Sequence, residues 1–157
     1  MRIRRAVIDD MPAVAVLHRL TMKTSLPFLP DLHTPDEDLV YFRDHMFPAN
    51  EVWVADEAGA LVGYAARGDG WLNQLYVHPD RQGRGIGDAL LAEAMTGVDA
   101  LQLWAFQQNS RARRFYEKRG FVLAELTNGA GNEEKTPDAR YEWRRGRGDH
   151  KSLCTLA

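Results

Sequence analysis

The stretch His78-Pro79-Asp80-Arg81-Gln82-Gly83-Arg84-Gly85-Ile86-Gly87 holds the residues best suited to chemistry in this chain. An apolar run, Trp71 to Val77, leads into it, and a helical pattern, Asp88 to Met95, leads out. Strand, glycine-rich turn and helix together present backbone amides to an anion. Gly83, Gly85 and Gly87 remove Cβ atoms where a ligand would have to come close. The first turn of a helix has N–H groups without intrahelical acceptors, and the helix dipole favours negative charge there. Arg81 and Arg84 add positive charge beside those amides. The chemistry indicated is the binding of a diphosphate. The spacing is not that of a Walker A loop, which needs Gly-Lys-Ser/Thr after a four-residue gap, nor that of a dinucleotide fingerprint. A solvent loop between strand and helix would show the same glycines, so the reading needs a second motif.

The second motif is Asn109-x-x-Ala112-x-x-Phe115-Tyr116-Glu117-Lys118-x-Gly120-Phe121. The first, written Gln82-x-x-Gly85-x-Gly87, resembles the acyl-CoA pyrophosphate loop of the GCN5-related N-acetyltransferase (GNAT) superfamily. Leu75-Tyr76-Val77-His78-Pro79 is similar to the end of that family's fourth strand, and the Asn109–Phe121 segment to its second motif. Counting element order, the resemblance runs over roughly residues 3 to 144.

The resemblance implies an enzyme that moves an acetyl group from acetyl-CoA to a primary amine of a small molecule or peptide, releasing CoA, by direct transfer in a ternary complex. It implies that the pantetheine arm pairs with the backbone of Leu75, Tyr76 and Val77 like an added strand. The amides of Gln82, Gly83, Arg84, Gly85, Ile86, Gly87 and Asp88 would form a nest for the pyrophosphate. Asn109 would cap its helix and bond the pantetheine region, and Ala112, one turn from Tyr116, would leave room for the cofactor. Tyr116 would protonate the departing thiolate, a good leaving group that needs little help. Many relatives place a glutamate near the position of Asn73. Asn73 takes no proton at neutral pH, so its catalytic role would be to orient a water or the amine. Candidate bases elsewhere are Glu133, Glu134, Asp138 and His33. The acceptor region implied by the family is the first interhelical segment and the late hairpin: Phe28, Leu29, His33, Tyr41, Trp71, Glu134, Tyr141 and Trp143. The competing reading is a non-catalytic acyl-CoA-binding sensor or interaction module, which Asn73 favours and Tyr116 opposes. A transferase acting on charged tRNA would want a basic face.

The elements that must position these residues follow from local pattern. Ile3 to Val7 alternates as a strand. Asp9-Asp10 with Pro12 starts a helix reaching about Lys23, and Pro27 and Pro30 make Ser25 to His33 a loop. Thr34-Pro35-Asp36-Glu37 is a capping box that opens a helix ending by Pro48. Glu51–Asp56, Ala60–Arg67 and Trp71–Val77, joined by short glycine turns, form an antiparallel meander. A helix from about Arg84 to Thr96 follows, then a strand at Ala100–Ala105, which completes a right-handed β-α-β unit. Asn109 or Ser110 caps a helix at Arg111–Arg119 that ends at Gly120, and strands Phe121–Leu126 and Ala139–Arg144 complete the chain. The order β-α-α-β-β-β-α-β-α-β-β is an α/β fold with a mixed, mostly antiparallel central sheet and helices on both faces. We read one domain over residues 1–145 and a polar tail over 146–157.

Composition narrows the class. The chain has 157 residues, 45% of them hydrophobic and 27% charged, which suits one soluble domain. The net charge of −2 gives no drive toward nucleic acid or an anionic membrane. No apolar run approaches the ~20 residues that span a bilayer, and no apolar segment follows Arg2-Ile3-Arg4-Arg5, so a cytoplasmic monomer or homodimer is expected. The single cysteine, Cys154, excludes an internal disulfide. The histidines His18, His33, His45, His78 and His150 lack metal-ligand spacing, and no metal is expected.

Overall fold

A computed structural model of the protein describes residues 1–146; the tail beyond, with His150 and Cys154, lies outside the described residues. The chain forms two compact units, Met1–Thr96 and Gly97–Ala157, and each is taken in turn.

The first unit is a four-stranded antiparallel meander with helices on both faces. Its strands are β1 (Arg2–Arg5), β2 (Glu51–Glu57), β3 (Ala60–Gly68) and β4 (Trp71–Val77), and its main helices are α1 (Met11–Ser25), α2 (Pro35–Tyr41) and α3 (Ile86–Met95). β1 pairs with β2 from Arg2↔Asp56 to Arg5↔Trp53, β2 with β3 from Glu51↔Arg67 to Glu57↔Ala60, and β3 with β4 from Gly63↔Val77 to Gly68↔Trp71. The β3–β4 register slips between Ala66↔Gln74 and Arg67↔Leu72, which leaves Asn73 as the extra residue of a β-bulge.

Alternation along the strands decides which helix covers which face. Val52, Val54, Tyr64 and Ala66 point one way and pack with Met11, Val14 and Leu17 of α1 and with Phe42 and Met46. The last two lie on a wider turn that continues α2, in which Phe47 N–H bonds to Phe42 O, and the extra residue brings Phe42 and Met46 to the core side. On the opposite face α3 lies so close to β3 that a Cβ on Gly63 would stand 3.0 Å from Leu90 Cδ1, 3.1 Å from Tyr76 O and 3.2 Å from Ile86 Cγ2. Leu90 and Leu91 are buried there.

The capping box of α2 is present: Thr34 Oγ1 accepts from Glu37 N at 3.2 Å, and Thr34 N donates to Glu37 Oε1 at 3.0 Å. The expected cap of α1 is different. Asp10 makes no side-chain cap to α1; its carboxylate accepts instead from Val7 N (2.8 Å) and from Arg4 (2.9 and 3.0 Å). A single turn, Ile8–Asp10, precedes the helix and takes up this carboxylate, and the partner Arg4 gives a stronger, charge-assisted bond than a helix amide would.

The second unit has strands β5 (Ala100–Phe106), β6 (Val122–Leu126) and β7 (Asp138–Arg144) and helix α4 (Ser110–Lys118). β7 lies between β5 and β6, antiparallel to both, from Ala100↔Arg144 to Phe106↔Asp138 and from Val122↔Glu142 to Leu126↔Ala139. Leu101, Leu103, Tyr141 and Trp143 point to the buried face, while Gln102, Trp104 and Arg140 lie on the other. Asn132 braces the long β6–β7 connection, bonding Thr136 N and O (3.2 and 2.7 Å) and Asp138 Oδ2 (3.1 Å).

Replacing Gly63 by valine forces α3 away from β3 and is expected to destabilise the protein by roughly 1–3 kcal/mol. Urea denaturation measures this, and an unchanged midpoint would show that α3 has room to shift.

Candidate functional site

The glycine loop begins where β4 ends. His78 N–H bonds to Val62 O (2.8 Å), and its Nδ1 accepts from Asp80 N (3.0 Å), so the chain turns sharply through Pro79–Arg81. The Gln82 side chain reaches back to Val77 O at 3.3 Å and ties the loop to the end of the strand. Gly83 and Gly85 have φ of +78° and +83°, conformations that non-glycine residues adopt only with strain. A Cβ on either would meet nothing within 4 Å, so the side of the loop they line is open. Helical bonding starts with Ala89 N–H to Gly85 O at 3.1 Å, which leaves the amides before it pointing out of the helix end. Helix α3 therefore starts at Ile86, two residues later than the expected Arg84, because left-handed Gly85 is its cap. Two left-handed residues ahead of a ten-residue helix make an anion nest whose shape suits a diphosphate. Ile86 is buried and anchors the helix start, Gly87 is half-buried and Asp88 exposed.

The two loop arginines differ. Arg81 is paired with Glu57, at 3.2 and 3.4 Å. Arg84 is exposed and, among the described residues, has no carboxylate partner. Upstream, Leu75, Tyr76 and Val77 are half-buried. Asn73, on the bulge, is exposed, and its amide donates to Asn50 Oδ1 at 2.8 Å. Asn50 in turn donates to Met46 O at 2.8 Å, so Asn73 is held by a short chain of amides rather than by a charge.

A buried polar group lies beside this strand that the sequence reading did not single out. His18 Nδ1 is 2.7 Å from the Tyr64 hydroxyl, which donates to Gln74 Oε1 at 2.9 Å. Tyr64 is fully buried. The His18 ring meets Phe42, Tyr64 and Tyr76 with centroids 4.9, 6.3 and 5.4 Å away. Burial pushes the imidazole down to about 4, with Arg19 adding to the effect and Asp38 opposing it. Burial also raises the Tyr64 phenol well above its ordinary value. Both groups are neutral near pH 7.

In the second unit, Asn109 caps α4 through Oδ1, which accepts from Ala112 N at 3.2 Å. Ala112 is half-buried. The Tyr116 ring is buried between Phe115 and Phe121, at centroid distances of 5.2 and 5.4 Å. Tyr141 and Trp143, expected as acceptor walls, are core residues on the α4 side of the sheet. Tyr141 is 0% exposed; its hydroxyl donates to Glu117 Oε2 (2.6 Å) and accepts from Arg113 Nε (2.9 Å). Strand alternation puts their neighbours on the other face, where a cavity of about 400 Å³ is lined by Trp104, Phe106, Asn132, Glu134 and Asp138. Glu134 was expected there. Trp104 and Phe106 were not, although their spacing of two along β5 is the available signal. Asp138 already accepts bonds from Thr127 and Asn132, so Glu134 is the less committed carboxylate.

Of the other acceptor candidates, Phe28 and Leu29 are half-buried in the turn after α1. Tyr41 and His33 are exposed, and His33 Nδ1 is 3.9 Å from Glu37. Trp71 is half-buried at the start of β4, opposite Gly68. Glu133 is exposed on the β6–β7 connection. Among the described residues, no three His, Cys, Asp or Glu side chains are grouped to hold a metal, and no helix is long and apolar enough to cross a membrane.

Residues 48–123 match the family model described as the acetyltransferase (GNAT) domain. That span contains the bulge at Asn73, the glycine loop, and Asn109 through Tyr116. Over that span the chain is similar to the GNAT acetyltransferases, and the relatives it matches are named as N-acetyltransferases or N-acyltransferases. It is 29% identical over 124 residues to the peptidyl-lysine N-acetyltransferase YiaC of Escherichia coli, covering 78% of this chain and 84% of that protein. It is 27% identical over 139 residues to the L-amino acid N-acyltransferase MnaT of the same organism, covering 78% and 80%. In fold it matches YncA of Salmonella typhimurium, a putative acetyltransferase solved with its cofactor acetyl-CoA, with a TM-score of 0.70 at 22% identity over 92% and 93% of the two chains.

The lowered His18 value makes a stability prediction. The native state excludes a proton that the unfolded chain takes up near 6.5. This contribution is complete above pH 6.5 and is lost as the pH falls toward 4, by up to about 3 kcal/mol. Between pH 7 and 4.5 the urea midpoint of wild type should fall more than that of His18→Gln; equal falls would refute the assignment.

Proposed function

We propose that the protein transfers an acetyl group from acetyl-CoA to a primary amine of a small molecule or peptide, in the cytoplasm, by direct attack of the amine. The observation that carries the donor is the loop of Gly83 and Gly85, left-handed, open on the Cβ side and followed by the α3 N-terminus. The amides from Gln82 to Asp88 hold the pyrophosphate, Arg84 adds charge beside it, and main-chain groups of Leu75, Tyr76 and Val77 hold the arm. Asn109 and Ala112 complete the cofactor contacts from α4. Acetyl-CoA supplies an activated thioester. The ammonium first gives its extra proton to solvent; the lone pair of the neutral amine then forms the C–N bond, the C–S bond breaks with its pair on sulfur, and one N–H proton is released. The Tyr116 hydroxyl gives its proton to the leaving sulfur. Asn73 orients the amine or its water through its amide.

The acceptor reading rests on charge and shape. Trp104 and Phe106 offer aromatic faces and Glu134 a carboxylate in one cavity, a combination that suits a protonated amine. The names of YiaC and MnaT specify a lysine side chain and an amino acid, both amines, which supports the same class. Asn73 in place of an acid is what favours a binding module without turnover, and kinetics separates the two readings.

Calorimetry should detect acetyl-CoA binding, weakened at least tenfold in Gly85→Val, where the side chain strains a left-handed cap. Unchanged affinity would remove the loop as the phosphate site. Tyr116→Phe should lower kcat by about 100-fold with little change in acetyl-CoA affinity. Turnover equal to wild type across pH would remove Tyr116 as the acid. Glu134→Gln should raise KM for a cationic amine several-fold and leave kcat near wild type, and an unchanged KM would place the acceptor elsewhere.

A further inference from the structure

The His18–Tyr64–Gln74 chain sits in a mostly apolar core, between α1 and the strand assigned to the pantetheine arm. A fully buried phenol is retained there only with its hydrogen bonds made, and this one makes two. With Gln74 Oε1 placed against the phenol, the chain runs in one direction. Tyr64 has a single hydroxyl proton and donates it to Gln74 Oε1. His18 Nδ1 must then carry the imidazole proton and donate to the Tyr64 oxygen, because a neutral imidazole has one donor and one acceptor. With Oε1 committed, the Gln74 amide is fixed with its two N–H donors turned away from Tyr64. Gln74 is half-buried, and among the described residues its Nε2 has no hydrogen-bond partner.

Gln74 also occupies a particular place. It directly follows the bulged Asn73, and bulges re-aim the side chains next to them. Resting on the assignment of the loop to the pyrophosphate and of Val77, Tyr76 and Leu75 to the arm, the acyl end of the donor runs back along β4 and arrives at Gln74. We propose that the Gln74 side-chain amide donates a hydrogen bond to the acyl carbonyl oxygen, and that Tyr64 and His18 are positioning residues that hold it in that orientation. Carbonyl electron density moves onto that oxygen as the amine attacks and returns as the C–S bond breaks. A donor fixed in advance therefore lowers the barrier more than it tightens ground-state binding.

The test uses the full-length protein and acetyl-CoA labelled with 13C at the carbonyl, without acceptor. In wild type the bound carbonyl resonance should move downfield from that of free acetyl-CoA, and Gln74→Leu should remove most of that displacement. Gln74→Glu keeps an acceptor for Tyr64 but has no N–H donor when ionised, so it should lose the displacement too while preserving the fold. Tyr64→Phe should give an intermediate shift. In turnover, Gln74→Leu and Gln74→Glu should lower kcat about 30- to 100-fold with acetyl-CoA affinity changed less than threefold, and Tyr64→Phe about tenfold. A resonance that coincides in wild type and both Gln74 variants, with acetyl-CoA bound to all three, overturns this proposal alone. Failure of wild type to bind acetyl-CoA overturns the functional reading and this proposal with it.

Discussion

The first unit depends on one close approach, that of helix α3 to strand β3 at Gly63. The helix can lie there only because β3 carries no side chain at that point, with Leu90, Ile86 and the Tyr76 carbonyl all within about 3 Å of the missing Cβ. This contact fixes the height of the helix above the sheet, and with it the position of the helix start relative to the end of β4. The loop must then climb from Val77 to Ile86 within a few residues, which it does with one tight turn at Pro79–Arg81 and two left-handed glycines. The open amides at Gly83 to Gly87 follow from that short climb. The anion nest is thus set by packing on the sheet as much as by the glycines that line it.

The opposite face of the same sheet follows a different rule. There the core is apolar except for the Thr21 hydroxyl and for a phenol, an imidazole and an amide joined by two hydrogen bonds. An apolar trio of similar volume would pack there without needing partners, whereas each polar group needs its bond made or it is penalised by about 1–3 kcal/mol. Such a chain fixes orientation more than it adds stability. Its lower end is the residue beside the β4 bulge, so orientation is delivered at the place where the strand is least regular.

Local chemistry was legible in the sequence wherever one residue type dictates backbone shape. The Thr34 capping box, the Asn109 cap, the glycine turns of the meander and the β4 bounds were readable because caps and left-handed residues act within a few positions. What escaped was decided by competing side-chain partners, most of them distant in sequence. Asp10 abandons the helix cap for Arg4. Tyr141 reads as an aromatic on a strand, and only the strand's pairing shows that it faces α4 rather than the cavity. Gly63 reads as an ordinary glycine until α3 is laid over it. His18, Tyr64 and Gln74 are separated by 46 and 10 residues, and no local spacing links them. The bulge at Asn73 leaves no mark in the residue types around it.

The same distinction explains why the donor is easier to read than the acceptor. A diphosphate is bound by backbone amides, and backbone shape is written in glycines and caps over a dozen residues. The family match covers residues 48–123, which include those features and stop before the β6–β7 connection. In the acceptor reading proposed above, an amine meets side chains from β5 and that connection, and their chemistry depends on which carboxylates are already occupied. Asp138, at the start of β7, accepts from Thr127 at one oxygen and from Asn132 at the other, bonds that hold the loop. Glu134, in the cavity with Trp104 and Phe106, is the carboxylate that the proposed acceptor reading assigns to a cation. In that proposal the bracing of the loop sets the charge presented to the amine, since a change at Asn132 or Thr127 would release Asp138.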